Sequence, residues 1–498
     1  GVRKIVIATN IAETGITIPD ITCVIDTGKH REMRFDEKRQ LSRLVETFVA
    51  KSNAAHRRGR AGRVQNGLCF HLFTKIRHDT LLAEHPLPEM MRLSLSDLAL
   101  HIKIMKVKIG TSIEDVLSRA LDPPTPVNVQ RAISALVEVR ALTPSGDITP
   151  MGRLLSMLPA DVHLGKFLLT AVLFRCLDPA LTIAAALSSK SPFIVPLGME
   201  QEADHAKSSF RIGNLDFLTI YNAFSSWRRA SENPSFVRKF CRVNFLSHQN
   251  LQQIEELRQQ FLGFLVDSSF ITVERSFVRE LSRARFGRNR TRFVNVPQHL
   301  DSNGSNIALI NSALTAGLYP KVLAIDSSSG QMRTISNNQS AAFHPTSVNF
   351  GRKPVDFGVN HLVYFTLMHS KKMYAWETGP IDDLAIVLLC GESEFKIHSN
   401  VLSIDRKIRY QLTPKANVAL KILRQHLTTI LALVQLRGKP LTESQVLWYD
   451  LATAALGKIK LETGDDNTKL MIKLGCKKVL VFGIRRTPLD LGVPLPGH

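Results

Sequence analysis

The sequence lacks the residue patterns that close disulfides or hold zinc. Its six cysteines, Cys23, Cys69, Cys176, Cys241, Cys390 and Cys476, lie far apart, with no CxxC pair and no Cys/His cluster at ligand spacing. That excludes a zinc-built fold and leaves ordinary reduced thiols. No long apolar span and no signal-peptide layout occurs, which argues against a membrane-spanning helix and for an intracellular setting. The phosphate-cradling pattern GxxxxGK[ST] is also missing, so no nucleotide site of that kind is complete within these residues. The first residues, GVRKIVIATN, open inside an apolar run without an initiator Met, as expected of a chain that is cut from a longer one.

What is present is a long, well-cored and strongly basic chain. At 498 residues it has room for several domains, and 44% hydrophobic content describes globules rather than disorder. The formal net charge of +21 sets up an attractive field for polyanions, with nucleic acid ahead of anionic membrane as the partner. A generally soluble basic protein would show the same charge, so motifs must decide.

Residues 4–8, KIVIA, and 22–27, TCVIDT, are short β-branched runs of the kind that form buried parallel strands, joined by a stretch long enough for a crossover. In open parallel sheets, ligands collect at the carboxyl ends of strands, which puts Thr9 and Asn10 on a functional edge. A helix cap at these two residues is the competing reading. Further on, KSNAAHRRGRAGRVQNGLCFHLFT places a short helix, capped by Ser52 or Asn53, before a strand at GLCFHLFT. That helix carries Arg57 and Arg60 on one face, and Gly59 and Gly62 let the backbone close against a partner. Four arginines in seven residues repel one another unless an anion sits among them, and a guanidinium cannot shed its proton. Arg60 and Arg63, projecting from one turn, suit a transferred phosphoryl group, where an arginine finger contributes on the order of 10³ to 10⁵ in rate.

ATNIAETGITIPDI followed by HRRGRAGR resembles motifs V and VI of the DEAH/RHA branch of superfamily 2 RNA helicases. The resemblance implies that Thr9 and Asn10 meet the RNA backbone, that Thr17 faces the nucleotide, and that Arg60 and Arg63 are fingers for the γ-phosphate. His56 stands where the family usually has Gln, and Pro19 where it often has Asp, with Asp20 one residue on; His56 and Asp20 are the further nucleotide-side candidates. The charged stretch between the motifs, residues 29–50, is similar to the family's long β-hairpin, with its tip near residues 36–38. A DEAH or DExH tetrad is absent, so the ligands of the Mg²⁺ that accompanies ATP are expected in a first RecA-like domain upstream.

The remaining chain reads as accessory domains. VNVQRAISALVEV repeats apolar residues at a 3.6-residue period, at Val129, Ile133, Leu136 and Val137, and a turn-rich wing follows. Helical runs fill residues 160–292, with Phe167, Phe224 and Trp227 read as core. RARFGRNRTRF, with Arg288 and Arg290 at its centre and Phe286 and Phe293 beside it, suits phosphate contact and base stacking, or else a basic linker. Beyond it, short β-rich runs form a small barrel, in which FHPTSVNF resembles an HPSS-type motif of the family's OB-fold. Its His344, Thr346 and Ser347 are RNA-contact candidates, although His344-Pro345 also reads as a turn.

The fold class expected is a multidomain chain of α/β, α and β parts. It comprises a partial RecA-like domain (1–86), a winged helix (87–159), a helical ratchet domain (160–292), an OB-fold barrel with a closing helix (293–440) and an unassigned extension (441–498). The expected function is that of an ATP-dependent RNA helicase moving 3'-to-5', from the cytoplasmic, translation-associated and RNA helicase A-like branch. ATP with Mg²⁺ is its cofactor, RNA its partner, and a ribosome or ribonucleoprotein a further one. Localisation is expected to be cytoplasmic, with the nucleus as second choice. The rival readings are a non-enzymatic RNA- or ribosome-binding platform and a DNA helicase, since counterion release rewards any phosphate backbone.

Overall fold

The computed structural model describes residues 3–16, 18–36, 41–92, 94–105, 110–158, 160–286, 292–370, 372–396, 398–437 and 440–458. Two units divide the chain. The first is built from Gly1–Ala99, Val107–Ala132 and Met368–Ser370, the second from Leu100–Lys106, Ile133–Leu367 and Lys371–His498.

In the first unit, the β-branched run at 22–27 forms the strand Cys23–Asp26, which pairs in parallel with Leu68–His71, so that Asp26 lies opposite His71. A strand was also expected at residues 4–8, and there the structure differs. That stretch forms no strand, and Ile5 is 81% and Ile7 97% exposed. Strand propensity is realised only where another backbone completes the ladder, and among the described residues Cys23–Asp26 pairs only with Leu68–His71. The outer face of this parallel pair stays open, exposing Ile25, Leu68 and Phe70. The charged stretch between the motifs is the expected hairpin: Lys29–Asp36 and Leu41–Phe48 pair antiparallel from Lys29 opposite Phe48 to Asp36 opposite Leu41. Most of its expected tip lies outside the described residues.

The periodic run at 127–139 forms the helix Pro126–Glu138, with Val129 and Leu136 buried. In the second unit a turn closed by a bridge between Leu142 and Ile148 follows, and Thr149 caps the helix Pro150–Ser156.

The core of the second unit is helical. It holds Val162–Leu173, Leu177–Leu187, Asp216–Ala230 and His248–Asp267; two of these are capped by side chains, Asp161 and Ser247 accepting from the first-turn amides of their helices. Phe167, Phe224 and Trp227 are fully buried among them, core residues as expected. Charge is buried there too: Arg258, 1% exposed, donates to the backbone carbonyl and the carboxylate of Asp178, which also accepts from Tyr221.

Against Val162–Leu173 packs the helix Ile307–Leu318, and Gly317 is where the two backbones come closest. This helix leads into a sheet in which Thr378–Pro380, His361–Tyr364, Val322–Ile325, Met332–Thr334, Ser340–Phe343 and Met373–Ala375 lie in that order. A separate meander of Ser393–Lys396, Val401–Ile404 and Ile408–Gln411 follows. The closing helix runs Pro414–Arg437. A second helix, Glu443–Gly457, stands within the extension left unassigned; Thr442 and Gln445 form a capping box at its start, and the Tyr449 hydroxyl donates to the Leu173 carbonyl. A run of strand-like composition, KKVLVFGI at 477–484, lies outside the described residues. Among the described residues no helix is long and apolar enough to cross a membrane.

A Cβ added at Gly317 would sit 2.5 Å from the Phe167 Cβ and 2.6 Å from its Cα. Both obstacles belong to the facing helix, so Gly317→Ala must part the two helices. It is expected to cost about 1–3 kcal/mol or more in urea unfolding; an unchanged midpoint would show slack at this crossing.

Candidate functional site

In the first unit, the helix Lys51–Arg58 begins at Ala50, earlier than the Ser52 or Asn53 cap expected. Asn53 instead stands in the first turn, accepting from the Ala50 amide at 3.2 Å, which ties down a helix start that an alanine cannot cap. Its amide group also donates to Glu13 Oε1 at 2.5 Å. Arg57 Nε donates to Glu13 Oε2 at 3.0 Å, and its Nη1 donates to Asp26 Oδ1 at 2.8 Å and to the Lys29 carbonyl at 3.2 Å. Asp26 is also 3.2 Å from His71 Nδ1 and accepts from the Gly28 amide. Glu13 and Asp26 are 7% and 2% exposed, so the two carboxylates are compensated by Arg57, with Asn53, His71 and backbone taking their remaining lone pairs. Sequence reasoning overlooked both acids. Their signal was present, since an acid inside a short apolar helix and another ending a buried strand both need a cation.

Arg60 follows the helix and donates to the Ile16 carbonyl at 3.3 Å and to the Glu13 carbonyl. It therefore lies on the carbonyls around the end of Ile11–Thr14, the favourable end of a helix for a cation. Arg63 and His56 are exposed, as are Thr9 and Asn10. Asn10 does stand at the N-cap position of Ile11–Thr14, as the capping reading has it, but its side chain makes no cap bond and is exposed, as Thr9 is. Asp20 is exposed with left-handed backbone (φ 64°), and Thr17 lies outside the described residues. The expected close approach at Gly62 is absent: a Cβ there would meet nothing within 4 Å among the described residues. The tight glycine is Gly67, where a Cβ would come within 2.3 Å of the Ala61 carbonyl oxygen.

In the second unit, the loop after Ser340–Phe343 carries the three OB candidates, and they divide. His344 is half-exposed and Thr346 exposed, with the His344 Nδ1 2.8 Å from the Thr346 hydroxyl. Ser347 is 5% exposed, and its hydroxyl donates to Asp216 Oδ2 at 2.5 Å. As an RNA contact Ser347 is corrected: its hydroxyl is turned inward, and it fixes the loop. Asp216, first residue of its helix, also accepts from the Val348 amide at 2.8 Å and from the Thr378 amide and hydroxyl at 3.0 and 3.2 Å. Burial raises the Asp216 carboxyl above its ordinary value, against Lys207 and these donors. Burial pushes Glu377 up to about 7.

Of the basic stretch, Arg283 is exposed on the helix Arg275–Phe286, while Arg288 and Arg290 lie outside the described residues. Phe293 packs edge-on against buried Trp227 at 5.4 Å, and the Arg228 guanidinium lies 5.1 Å from its ring. It anchors the end of the stretch to the core and is no base platform. Among the described residues no cluster of His, Cys, Asp or Glu could hold a metal.

Comparison with known families agrees with this arrangement. Residues 1–65 match the helicase conserved C-terminal domain, 161–247 the ratchet-like helicase associated domain (HA2), and 310–393 the oligonucleotide/oligosaccharide-binding (OB) fold. A helicase C-terminal domain followed by a ratchet and an OB-fold defines the class. The chain carries the C-terminal region of a DEAH/RHA-type helicase, the branch that its motifs resemble. It is similar to ATP-dependent RNA helicase DHX29 of Mus musculus, 38% identical over 441 residues that make up 86% of this chain and 30% of the relative. ATP-dependent DNA/RNA helicase DHX36 of Bos taurus is 36% identical over 442 residues, 86% of this chain and 41% of the relative. Putative ATP-dependent RNA helicase DHX57 of Homo sapiens is 40% identical over 337 residues, 68% and 24% respectively. The chain thus spans less than half the length of these relatives.

Two substitutions test the networks. Glu13→Ala strips Arg57 and Asn53 of a buried partner, and is expected to destabilise the first unit by about 3–5 kcal/mol in urea unfolding; a loss below about 1 kcal/mol, as for a surface pair, would show that Asp26 alone suffices. Glu377 binds its proton more tightly folded than unfolded. Its contribution is therefore full below pH 4.5, its ordinary value, and is lost as pH rises to about 7. Glu377→Gln is expected to flatten the fall of thermal midpoint across that window; an unaltered profile would assign the fall to other groups.

Proposed function

We propose that the intact protein is an ATP-dependent RNA helicase that moves 3'-to-5', and that this chain supplies the arginine side of its nucleotide site together with much of its RNA path. The observation that carries the reading is the arrangement around Arg60. One forked cation rests on backbone carbonyls of the segment that follows Thr9 and Asn10, and a second, Arg63, is exposed three residues on. A γ-phosphate is a stronger acceptor than a carbonyl, so arriving nucleotide can draw Arg60 across.

The residues present fit ATP in part. Arg60 and Arg63 suit the γ-phosphate, with Thr17, Asp20 and His56 on the nucleotide side. Among the described residues no acidic cluster could hold Mg²⁺, and the two buried carboxylates, Glu13 and Asp26, are engaged by Arg57. Bound Mg²⁺ neutralises developing charge on the phosphates. Its ligands and the phosphate-cradling loop are assigned to a first RecA-like domain beyond these residues, and the open face at Ile25, Leu68 and Phe70 to contacts with the rest of the α/β layer.

Segments 1–86, 87–159, 160–292 and 293–440 are read as the second RecA-like, winged-helix, ratchet and OB domains. RNA meets Thr9, Asn10, His344, Thr346, Arg288 and Arg290, and a ribosome or other ribonucleoprotein of the cytoplasm is the setting. The missing GxxxxGK[ST] loop favours a second reading for the chain taken alone, a non-enzymatic RNA-binding platform.

This chain is expected to bind single-stranded RNA with affinity falling steeply with salt, and to hydrolyse no ATP. In the intact protein, Arg63→Ala should abolish most RNA-stimulated hydrolysis while RNA affinity holds. Turnover by this chain alone would refute the divided site, and a large loss of RNA binding in Arg63→Ala would place Arg63 on RNA.

A further inference from the structure

His344 and Trp376 lie face to face, with ring centroids 3.8 Å apart and planes 14° from parallel, and Tyr374 meets His344 nearly at right angles at 5.6 Å. The imidazole is held in place. Its Nδ1 accepts from the Thr346 amide at 3.2 Å, which leaves Nε2 as the protonated nitrogen, and burial and the nearby Lys207 lower its pKa. A neutral, oriented imidazole is a flat surface for another ring to rest on. The indole Nε1 of Trp376 is buried with no hydrogen-bond partner among the described residues, so stacking rather than hydrogen bonding sets this ring.

Trp376 differs from the other two tryptophans. Trp227 is fully buried and donates to His248, and Trp448 is 8% exposed and stacked on His426, whereas Trp376 is half-exposed. His344 covers one face of Trp376, and the residue as a whole keeps intermediate exposure. The loop that brings His344 to it also carries Arg352 and Lys353, both exposed, and Phe350, 56% exposed. A phosphate-only site would need the cations without the flat rings. A π-face with cations on the same loop is the combination that grips single strands, bases on the aromatic surface and phosphates on the charges.

We propose that Trp376, backed by His344, is a nucleobase platform, on which one base of a single strand stacks against the indole face turned away from the imidazole. The proposal rests on the reading of this chain as RNA-binding and deepens it: the OB contact is made to a base, without preference for sequence. Stacking adds affinity without releasing counterions, so it is separable from the phosphate term.

The test uses this 498-residue chain and two oligoribonucleotides of equal length and charge, one with all its bases and one abasic along its length. Because the other two tryptophans are core, quenching of intrinsic fluorescence reports Trp376. The base-bearing strand is expected to quench it, and the abasic strand to bind more weakly with little quenching. Trp376→Ala should weaken the base-bearing strand by about tenfold, leave the abasic strand unaffected and keep the slope of affinity against salt. Trp376→Phe, which keeps a π-face, should retain most of the affinity. Unchanged affinity in Trp376→Ala, or an equal loss on both strands, or a loss in Trp376→Phe as large as in Trp376→Ala, would overturn the platform while the RNA reading stands. Failure of the unaltered chain to bind either strand would overturn both.

Discussion

Asp216 is the constraint from which the exposed chemistry of the second unit follows. A carboxylate 4% exposed is costly, and here it is met by the Ser347 hydroxyl, the Val348 amide, and the amide and hydroxyl of Thr378. Its place at the first turn of the helix Asp216–Ala230 adds the favourable end of a helix dipole. Two of its donors belong to the loop after His344 and two to Thr378, just beyond Trp376. Holding one carboxylate therefore fixes the backbone on both sides of the His344–Trp376 stack. The exposed rings keep their geometry because their buried neighbours are over-determined.

The same logic runs through the first unit with the charges exchanged. Arg57 is the partly buried cation, and Glu13, Asp26 and the Lys29 carbonyl accept from it. These acceptors come from a short helix, a strand end and the start of the hairpin, so one guanidinium ties three elements that share little apolar core. A five-donor fork suits that task, whereas a lysine could offer only a point charge.

The sequence revealed most where periodicity and punctuation act locally. The strands at 23–26 and 68–71, the hairpin between them, the helical second unit and the closing helix follow from β-branched runs, alternation and 3.6-residue spacing. Two elements misled. The run at 4–8 has strand composition, yet strands are pairwise objects, and composition cannot say whether a partner backbone is at hand. The extension 441–498 is left unassigned by its pattern, although the Thr442 and Gln445 capping box marks a helix start. In the sites, the motifs indicated Arg60, Arg63, His344 and Thr346 but not which way side chains turn. Ser347 shares a motif with His344 and faces the interior. Glu13 and Asp26, hidden among apolar neighbours, became visible only through the arginine they hold.

Two arginines that make similar contacts show what sets the cost of withdrawing a cation. Arg424, 7% exposed, donates to the carbonyls of Val387, Cys390 and Gly391 around the end of the helix Asp383–Leu389, and burial lowers its pKa to about 10. Withdrawing it would leave buried acceptors unpaired, a cost of about 1–3 kcal/mol each, so that contact is permanent. Arg60 makes the same kind of contact at the end of Ile11–Thr14, but Arg60 is only partly buried, and of the two residues whose carbonyls it holds Glu13 is 7% and Ile16 44% exposed. A carbonyl on an accessible residue such as Ile16 can turn to solvent when a guanidinium leaves, so that part of the Arg60 contact costs less to give up than the contacts of Arg424. The exposure of the groups an arginine holds sets the cost of moving it, and in HRRGRAGR it separates Arg60, with one exposed acceptor, from Arg57, whose partner carboxylates on Glu13 and Asp26 are both buried.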